Sequence, residues 1–148
     1  MSEFQNKRVL VTGAGRGIGR EIALAFAGEG AELVLAARSE DELASVAREI
    51  TDMGGKAHIV PTDLGDEAAV TALAAKALEL GGVDILVPNA AYSPPPSAMQ
   101  DLSMETWRQT FMVNVGATLL LVNELSADMI KRDGANVVIV SSIRGLGG

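Results

Sequence analysis

A glycine-rich turn between a short strand pattern and a helical pattern constrains this chain more than any other feature. The run 9–11 before the turn is apolar and rich in β-branched residues. The apolar residues after the turn follow one helix face, and they are Ile18, Ile22, Ala25 and Phe26. A strand that passes directly into a helix gathers unpaired backbone N–H groups and the positive end of the helix dipole. We therefore expect an anion such as a diphosphate to bind this loop, whose residues are Thr12, Gly13, Gly15, Arg16, Gly17, Ile18 and Gly19.

The spacing of the glycines discriminates among glycine-loop families. A G-x-G-x-x-G pattern fails in both registers, because positions 18 and 20 hold isoleucine and arginine. A G-x-x-x-x-G-K-[ST] loop fails because no Gly-Lys follows. The pattern present is T-G-x-x-x-G-x-G, from Thr12 to Gly19, and it resembles the nucleotide loop of the short-chain dehydrogenase/reductase family. A tight turn without a ligand is the alternative, but four glycines in seven residues would weaken a turn with only that role.

The rest of the sequence alternates strand and helix patterns. Apolar runs at 32–37, 57–60, 83–87 and 136–140 predict four more strands, with helices between them. Ser39 and Glu42 form a capping-box pattern at the start of the second helix, and the longest helix runs from Ser103 to about Lys131. This alternation predicts an α/β fold with a Rossmann-like, doubly wound parallel sheet. We expect the strand order 3-2-1-4-5, with a cofactor across the carboxyl ends where the order reverses.

Composition limits the possible partners. The 148 residues are the size of one domain, and a hydrophobic content of 48% is typical of globular proteins. A net charge of −7 argues against nucleic acid or an anionic membrane as partner. There are no cysteines, no apolar run of membrane-spanning length and no signal-peptide pattern, so we expect a cytoplasmic protein. An anionic cofactor would need locally placed arginines.

The end of the second predicted strand bears on the choice of nicotinamide cofactor. An acidic residue there would accept hydrogen bonds from the adenosine ribose, but the sequence reads Ala36-Ala37-Arg38-Ser39. Arg38, together with Arg16 of the glycine loop, can pair with a 2′-phosphate instead. Reductases that resemble this chain and carry such a basic pair usually use NADPH. We therefore favour NADP(H) over NAD(H); the alternative is that both arginines are solvated surface residues.

The resemblance implies that two further loops bind the cofactor. Asp63, followed by Leu64, lies where the family places an aspartate against the adenine amino group, although composition alone fits a loop or capping residue nearly as well. Asn89-Ala90-Ala91 occupies the position of the family's Asn-Asn-Ala-Gly turn. Proline at position 88 and alanine at position 91 depart from that pattern. A side-chain amide here can bond the neighbouring loop backbone and hold the turn beside the nicotinamide ribose.

Two positions are implied to be catalytic. Asn114, in the predicted long helix, matches a family asparagine that supports a water and the catalytic lysine. Ser142 matches the serine whose hydroxyl hydrogen-bonds the substrate carbonyl, and its spacing to Gly145 favours it over Ser141. A hydroxyl suits this role because the carbonyl oxygen becomes alkoxide-like during hydride transfer. Without the resemblance, Asn114 could be an exposed polar residue, and the serines could merely cap backbone groups.

The family's proton donor does not occur in these residues. It is a Tyr-x-x-x-Lys pair about a dozen residues beyond the serine, which would fall past Gly148. The one tyrosine, Tyr92, is followed four residues later by Pro96. We therefore expect residues 1–148 to form an NADP(H)-binding Rossmann domain that stops before the Tyr-x-x-x-Lys helix and lacks the family's C-terminal strands. The resemblance implies a parent oxidoreductase that moves hydride between nicotinamide and a small-molecule carbonyl or alcohol, while this chain alone is inactive.

Other classes of protein remain as alternatives. A nucleotide-binding or sensing module without chemistry would explain the missing acid. A Rossmann-like methyltransferase fits the glycine spacing less well. A Ser/His/Asp hydrolase is poorly supported, because the one histidine, His58, lies inside a predicted strand, and no metal-binding spacing occurs. Relatives in the family pair through the long helix, so the resemblance also implies a homo-oligomer, a dimer or tetramer, for the complete protein.

Overall fold

Five parallel strands in the order β3-β2-β1-β4-β5 form the sheet, as the alternating pattern predicts. The computed structural model describes residues 3–142. The strands are β1 (Arg8–Thr12), β2 (Glu32–Ala37), β3 (Lys56–Pro61), β4 (Ile85–Val87) and β5 (Asn136–Val137). The helices are α1 (Gly17–Gly28), α2 (Glu40–Asp52), α3 (Glu67–Glu79), α4 (Met104–Phe111) and α5 (Ala117–Met129). The order of strands reverses at β1, which pairs with β2 on one side and β4 on the other.

Helices cover both faces of the sheet, and the alternation of side chains along β1 shows how. Val9 and Val11 are fully buried in a cluster with α1 and α2, whereas Leu10 is fully buried in a cluster with α3 and α5. Successive side chains of a strand point to opposite faces, so a strand buried on both faces needs a continuous apolar run. The doubly wound α/β fold is therefore confirmed.

Helix α1 packs partly through the stripe that the sequence predicted and most closely through its small residues. Its buried residues are Gly19, Ala23 and Ala27, whereas Ile18 is 65% exposed and Ala25 is also exposed. Of the predicted stripe, Ile22 and Phe26 are partly buried and pack against the core cluster, whereas Ile18 and Ala25 do not, because small residues let this helix approach the sheet closely. Apolar periodicity does not reveal a contact face made of glycine and alanine.

The long helix predicted from Ser103 is present but is not regular. Between α4 and α5, residues Met112–Gly116 form a π-helical segment, a feature that often marks a functional position. By length and composition alone, the stretch Met104–Met129 could cross a membrane, so the expectation that no segment is long enough does not hold for it. Core helices of globular proteins share this length and composition, and α5 packs Leu121 and Leu125 into the core beside the sheet, although 17% of the 18-residue window is buried.

The outer side of this long helix carries an exposed apolar stripe, which consists of Trp107, Phe111, Val115 and Leu119. Trp107 and Phe111 stack with their ring centroids 4.4 Å apart. At the edge of the sheet, β5 is shorter than predicted, although Val138 N–H still donates to the carbonyl of Leu86 and Val140 N–H to that of Pro88. The homo-oligomer stays a prediction.

A charged cluster joins the first three strands at the end of the sheet opposite the glycine loop. The Glu32 carboxylate accepts hydrogen bonds from Arg8 Nη2 (2.9 Å) and His58 Nε2 (2.6 Å) and pairs with Lys56 Nζ (2.9 Å). Partial burial of Glu32 opposes its ionisation, but the hydrogen bonds from Lys56, Arg8 and His58 outweigh this effect and lower its pKa to about 2. His58 is thus a structural residue, as the sequence indicated.

Replacing Glu32 by glutamine should destabilise the protein at neutral pH and weaken its acid sensitivity. A carboxyl whose pKa falls from 4.5 to about 2 on folding contributes stability that is complete above pH 4.5 and is lost as the pH falls towards 2. Urea unfolding at pH 7, 4 and 3 should show the gap between wild type and Glu32→Gln closing with acid. Glu124→Gln, which removes an exposed carboxylate on α5, is the control. A gap of equal size at pH 7 and pH 3 would contradict this role.

Candidate functional site

A cleft of about 810 Å³ opens at the carboxyl ends of the strands, where the strand order reverses. Open α/β sheets bind ligands at this position. Its lining comes from the glycine loop, the ends of β2 and β3, the turn after β4, and helix α4 with its π segment. The lining residues are Gly13, Gly15, Arg16, Gly17, Ala37, Arg38, Ser39, Glu42, Thr62, Asp63, Leu64, Asn89, Ala90, Ala91, Tyr92, Gln109 and Val113.

The glycine loop is packed too closely for side chains at two of its positions. A Cβ on Gly19 would lie 2.2 Å from the Gly13 carbonyl oxygen and 2.5 Å from Asn89 Nδ2. Gly13 itself has φ +66° and would bring a Cβ within 2.9 Å of Ala90 Cα. Gly17 differs, because it has φ +56° and nothing lies within 4 Å of a Cβ placed there. The loop therefore leaves open space at Gly17, where helix α1 begins.

Thr12 and Asn89 lock the glycine loop to the turn after β4. The Thr12 hydroxyl accepts hydrogen bonds from the backbone N–H groups of Asn89 and Ala90, each at 3.1 Å. In return, Asn89 Nδ2 donates to the carbonyl oxygens of Thr12 (3.0 Å) and Gly13 (3.4 Å). Thr12 is almost fully buried and does not line the cleft. Its role is to fix the two loops that do, and the amide of Asn89 bonds loop backbone as the sequence predicts.

The start of α1 is suited to an anion. Arg16 occupies the N-cap position but its side chain makes no capping hydrogen bond, and the first turn contains no acidic residue. Arg16 and Arg38 are both exposed and both line the cleft. Within residues 3–142, neither arginine forms an ion pair. The helix dipole and the two guanidinium groups without an ion pair in the described residues thus give a positive potential to one end of the cleft.

Asp63 and Leu64 lie in the loop after β3, and both line the cleft. Asp63 Oδ1 accepts a hydrogen bond from Gly65 N–H at 2.9 Å, which makes Asp63 a loop-forming residue as well as a lining residue. The Leu64 side chain is 6% exposed and joins the core cluster that contains α3 and α5. The core therefore anchors this loop at the rim of the cleft.

Asn114 is held by two hydrogen bonds to one residue of the loop after β4. Its Oδ1 accepts from Tyr92 N–H (2.7 Å) and its Nδ2 donates to the Tyr92 carbonyl (2.9 Å). Asn114 sits in the π segment, and Tyr92 lines the cleft. An amide that satisfies both backbone groups of Tyr92 fixes that loop against the helix. Asn114 is exposed, but its two hydrogen bonds to Tyr92 make it a residue that positions this loop.

This geometry can be compared with known proteins. A sequence model described as short chain dehydrogenase matches residues 7–148. The chain belongs to the short-chain dehydrogenase family.

Three similar proteins show how much of that family this chain covers. A glucose 1-dehydrogenase of Gluconobacter oxydans is 37% identical over 141 residues, which are 94% of this chain and 53% of that protein. The structure of L-sorbose reductase from Gluconobacter frateurii, complexed with NADPH and L-sorbose, has a TM-score of 0.90 at 31% identity and covers 96% of this chain and 54% of that one. A 7α-hydroxysteroid dehydrogenase complexed with NADH and 7-oxo glycochenodeoxycholic acid has a TM-score of 0.89 at 34% identity, covering 98% and 56%. The chain spans about half the length of the curated relatives it matches.

Some predicted site residues lie outside the cleft of this short-chain dehydrogenase. Ser142 is exposed and lies at the end of the described residues, two positions beyond Val140, whose N–H donates to the carbonyl of Pro88. Gly145, on which the choice of Ser142 over Ser141 rested, lies outside the described residues. Ile18 is mostly exposed and Gly19 is buried, and neither lines the cleft. The cleft thus unites most of the predicted cofactor residues but not the candidate serine.

Sequence reasoning missed several lining residues, among them Glu42, Thr62, Gln109 and Val113. Thr62 directly precedes Asp63 and could have been inferred from its place at a strand end. Gln109 and Val113 lie on a helix whose irregular turn gives no sequence signal. The sequence pattern assigned Glu42 only to a capping box with Ser39. Of the two hydrogen bonds of such a box, the structure shows the one from Glu42 N–H to Ser39 Oγ, at 3.3 Å.

Replacing Gly19 by alanine should destabilise the protein and reduce nucleotide binding. The new Cβ would collide with the Gly13 carbonyl, which is backbone and cannot rotate away. We expect a loss of about 1–3 kcal/mol in the free energy of unfolding, measured by urea denaturation. Gly28→Ala is the matched control in the same helix, because its Cβ would make an ordinary contact of 3.6 Å with Met53. The control should be neutral or slightly stabilising, and equal losses in both variants would refute the packing argument.

Replacing Asn114 by alanine should loosen the loop after β4. Loss of the bond from Tyr92 N–H to Asn114 should speed hydrogen exchange of that amide about tenfold or more, measured by NMR. Asn123→Ala, an exposed asparagine on α5, tests whether any asparagine on the long helix has this effect and should leave the Tyr92 amide unchanged. If the Tyr92 amide exchanges at the wild-type rate in Asn114→Ala, the two hydrogen bonds do not hold the loop.

Proposed function

We propose that this chain supplies the dinucleotide-binding part of an NADP(H)-dependent oxidoreductase of the short-chain dehydrogenase type. The observation that carries the proposal is the junction at Gly17. There, an uncapped helix N-terminus with positive φ and open space faces a cleft large enough for a dinucleotide. In this proposal the start of α1 holds the diphosphate, the loop after β3 borders the adenine, and Asn89 with Ala90 borders the nicotinamide ribose.

A preference for NADP(H) over NAD(H) is supported by Arg16 and Arg38. Both guanidinium groups line the cleft at the end of β2 and the start of α1, and a planar guanidinium suits a phosphate monoester. Of the similar structures, L-sorbose reductase is complexed with NADPH and 7α-hydroxysteroid dehydrogenase with NADH. Since family relatives bind either cofactor, the two arginines of this chain are the basis for the preference.

The proposed reaction transfers hydride between the nicotinamide and the carbonyl or alcohol carbon of a small substrate. The bound dinucleotide supplies or accepts that hydride. Ser142 would donate its hydroxyl hydrogen bond to the substrate oxygen, where negative charge develops. Asn114 would act through Tyr92, keeping the loop beside the cleft in place. The sequence contains no Tyr-x-x-x-Lys pair, so we propose that these 148 residues bind cofactor without turnover.

Calorimetric titration of the 148-residue chain with NADP⁺ and NAD⁺ tests the cofactor assignment. We expect both to bind and NADP⁺ to bind more tightly. Arg38→Ala should weaken NADP⁺ binding by about tenfold to a hundredfold, the worth of a charge-assisted hydrogen bond, and should change NAD⁺ binding little. Arg48→Ala, which removes an exposed arginine on α2 outside this cleft, is the control. Equal losses for both dinucleotides in Arg38→Ala would refute the 2′-phosphate contact.

A nucleotide-binding or sensing module without chemistry is the second candidate, favoured by the absence of a Tyr-x-x-x-Lys pair from the sequence. The two candidates make the same cofactor-binding prediction and differ in turnover of the complete protein. NADPH oxidation in the presence of ketones supports the oxidoreductase. Binding of NADPH by the complete protein with no turnover of ketones supports the module. A cytoplasmic location remains part of the proposal.

A further inference from the structure

We infer that Glu42 is a third determinant of cofactor choice, one that opposes the two arginines. The inference rests on the proposed function, because it concerns the same cleft. Glu42 lies in the first turn of α2 and lines the cleft together with Arg38 and Ser39. The structure thus brings a carboxylate to the end of β2, where the strand itself ends in Ala37 and offers none.

The position of the Glu42 side chain is set by the glycine loop. A Cβ built on Gly15 would lie 2.9 Å from Glu42 Oε2 and 3.0 Å from Glu42 Cβ. The carboxylate therefore lies directly against Gly15, and a side chain at position 15 would push it out of this position. Glu42 is half-buried, whereas its neighbours Glu40 and Asp41 in the same turn are exposed. Glu42 therefore differs from the two solvent-exposed acidic residues that begin the same helix.

The helix cap does not account for this orientation. In a complete capping box the glutamate would reach back to the backbone N–H of Ser39. Within residues 3–142 only the opposite bond is present, from Glu42 N–H to Ser39 Oγ. Glu42 also forms no ion pair with Arg16 or Arg38 among the described residues. Its carboxylate is therefore available to a ligand that occupies the cleft.

Two consequences follow for a dinucleotide whose adenosine ribose lies at the end of β2. A carboxylate accepts hydrogen bonds from ribose hydroxyl groups, which favours the non-phosphorylated dinucleotide. The same charge repels a 2′-phosphate, which disfavours the phosphorylated one. Arg16 and Arg38 act in the opposite sense, so Glu42 reduces the preference for NADP(H) that the two arginines produce without reversing it.

The test is calorimetric titration of wild type and Glu42→Gln with NADP⁺, NAD⁺, 2′,5′-ADP and 5′-AMP. Removing the charge should tighten binding of NADP⁺ and 2′,5′-ADP about threefold to tenfold at low salt. Binding of NAD⁺ and 5′-AMP should weaken or stay the same. Glu40→Gln is the matched control from the same helix turn and should leave all four affinities unchanged. The gain in Glu42→Gln should shrink at 0.5 M salt, because screening weakens charge repulsion but not packing.

Two results would overturn the inference and leave the proposed function intact. One is a parallel change for the phosphorylated and non-phosphorylated ligands, which would assign Glu42 to loop packing. The other is that Glu42→Gln and the wild type have the same ratio of NADP⁺ affinity to NAD⁺ affinity. If the wild-type chain binds neither dinucleotide, the proposed function fails and this inference fails with it.

Discussion

The close approach of Gly19 to the Gly13 carbonyl is the constraint on which the rest of the site depends. It lets the start of α1 lie directly above the end of β1, with Asn89 Nδ2 filling the remaining space. The turn after β4 is thereby tied to the glycine loop, and the buried Thr12 hydroxyl completes the link. One tightly packed junction thus sets the end of β1, the axis of α1 and one wall of the cleft. A side chain at Gly19 would disturb all three at once.

The cleft itself is a consequence of topology. Chain connections leave β1 towards β2 on one side, while β4 approaches it from the other, so the loops at the carboxyl ends diverge. A cleft at this position can bind a ligand in a defined way only if the loops that form its rim are held in place. Here three separate devices fix its rim, namely the Thr12 and Asn89 bonds, the buried Leu64, and the amide pair between Asn114 and Tyr92. The π segment matters because it places Asn114 where it can reach that backbone.

The sequence was sufficient for features that depend on local signals. Continuous apolar runs identified the strands, and alternation with helices gave the order 3-2-1-4-5. It succeeded only in part for α1, where Ile22 and Phe26 pack against the core as predicted. The buried residues Gly19, Ala23 and Ala27 were missed, because a close helix contact requires small residues that carry no hydrophobic signal. It also missed Glu42, because the side chain of a helix-capping residue can turn towards a loop that is distant in sequence. Contacts of that kind depend on tertiary packing.

Electrostatics connects the fold to the proposed cofactor. The chain has a net charge of −7, which repels a polyanion, so a site that binds one needs positive charge placed locally. At the opposite end of the sheet, Arg8 and Lys56 are both paired with the Glu32 carboxylate. Arg16 and Arg38, in contrast, form no ion pair within residues 3–142 and remain available to a ligand in the cleft. The carboxylate of Glu42, which lines the cleft together with Arg38 and Ser39, is proposed to reduce the preference of that charge for a phosphate over a hydroxyl.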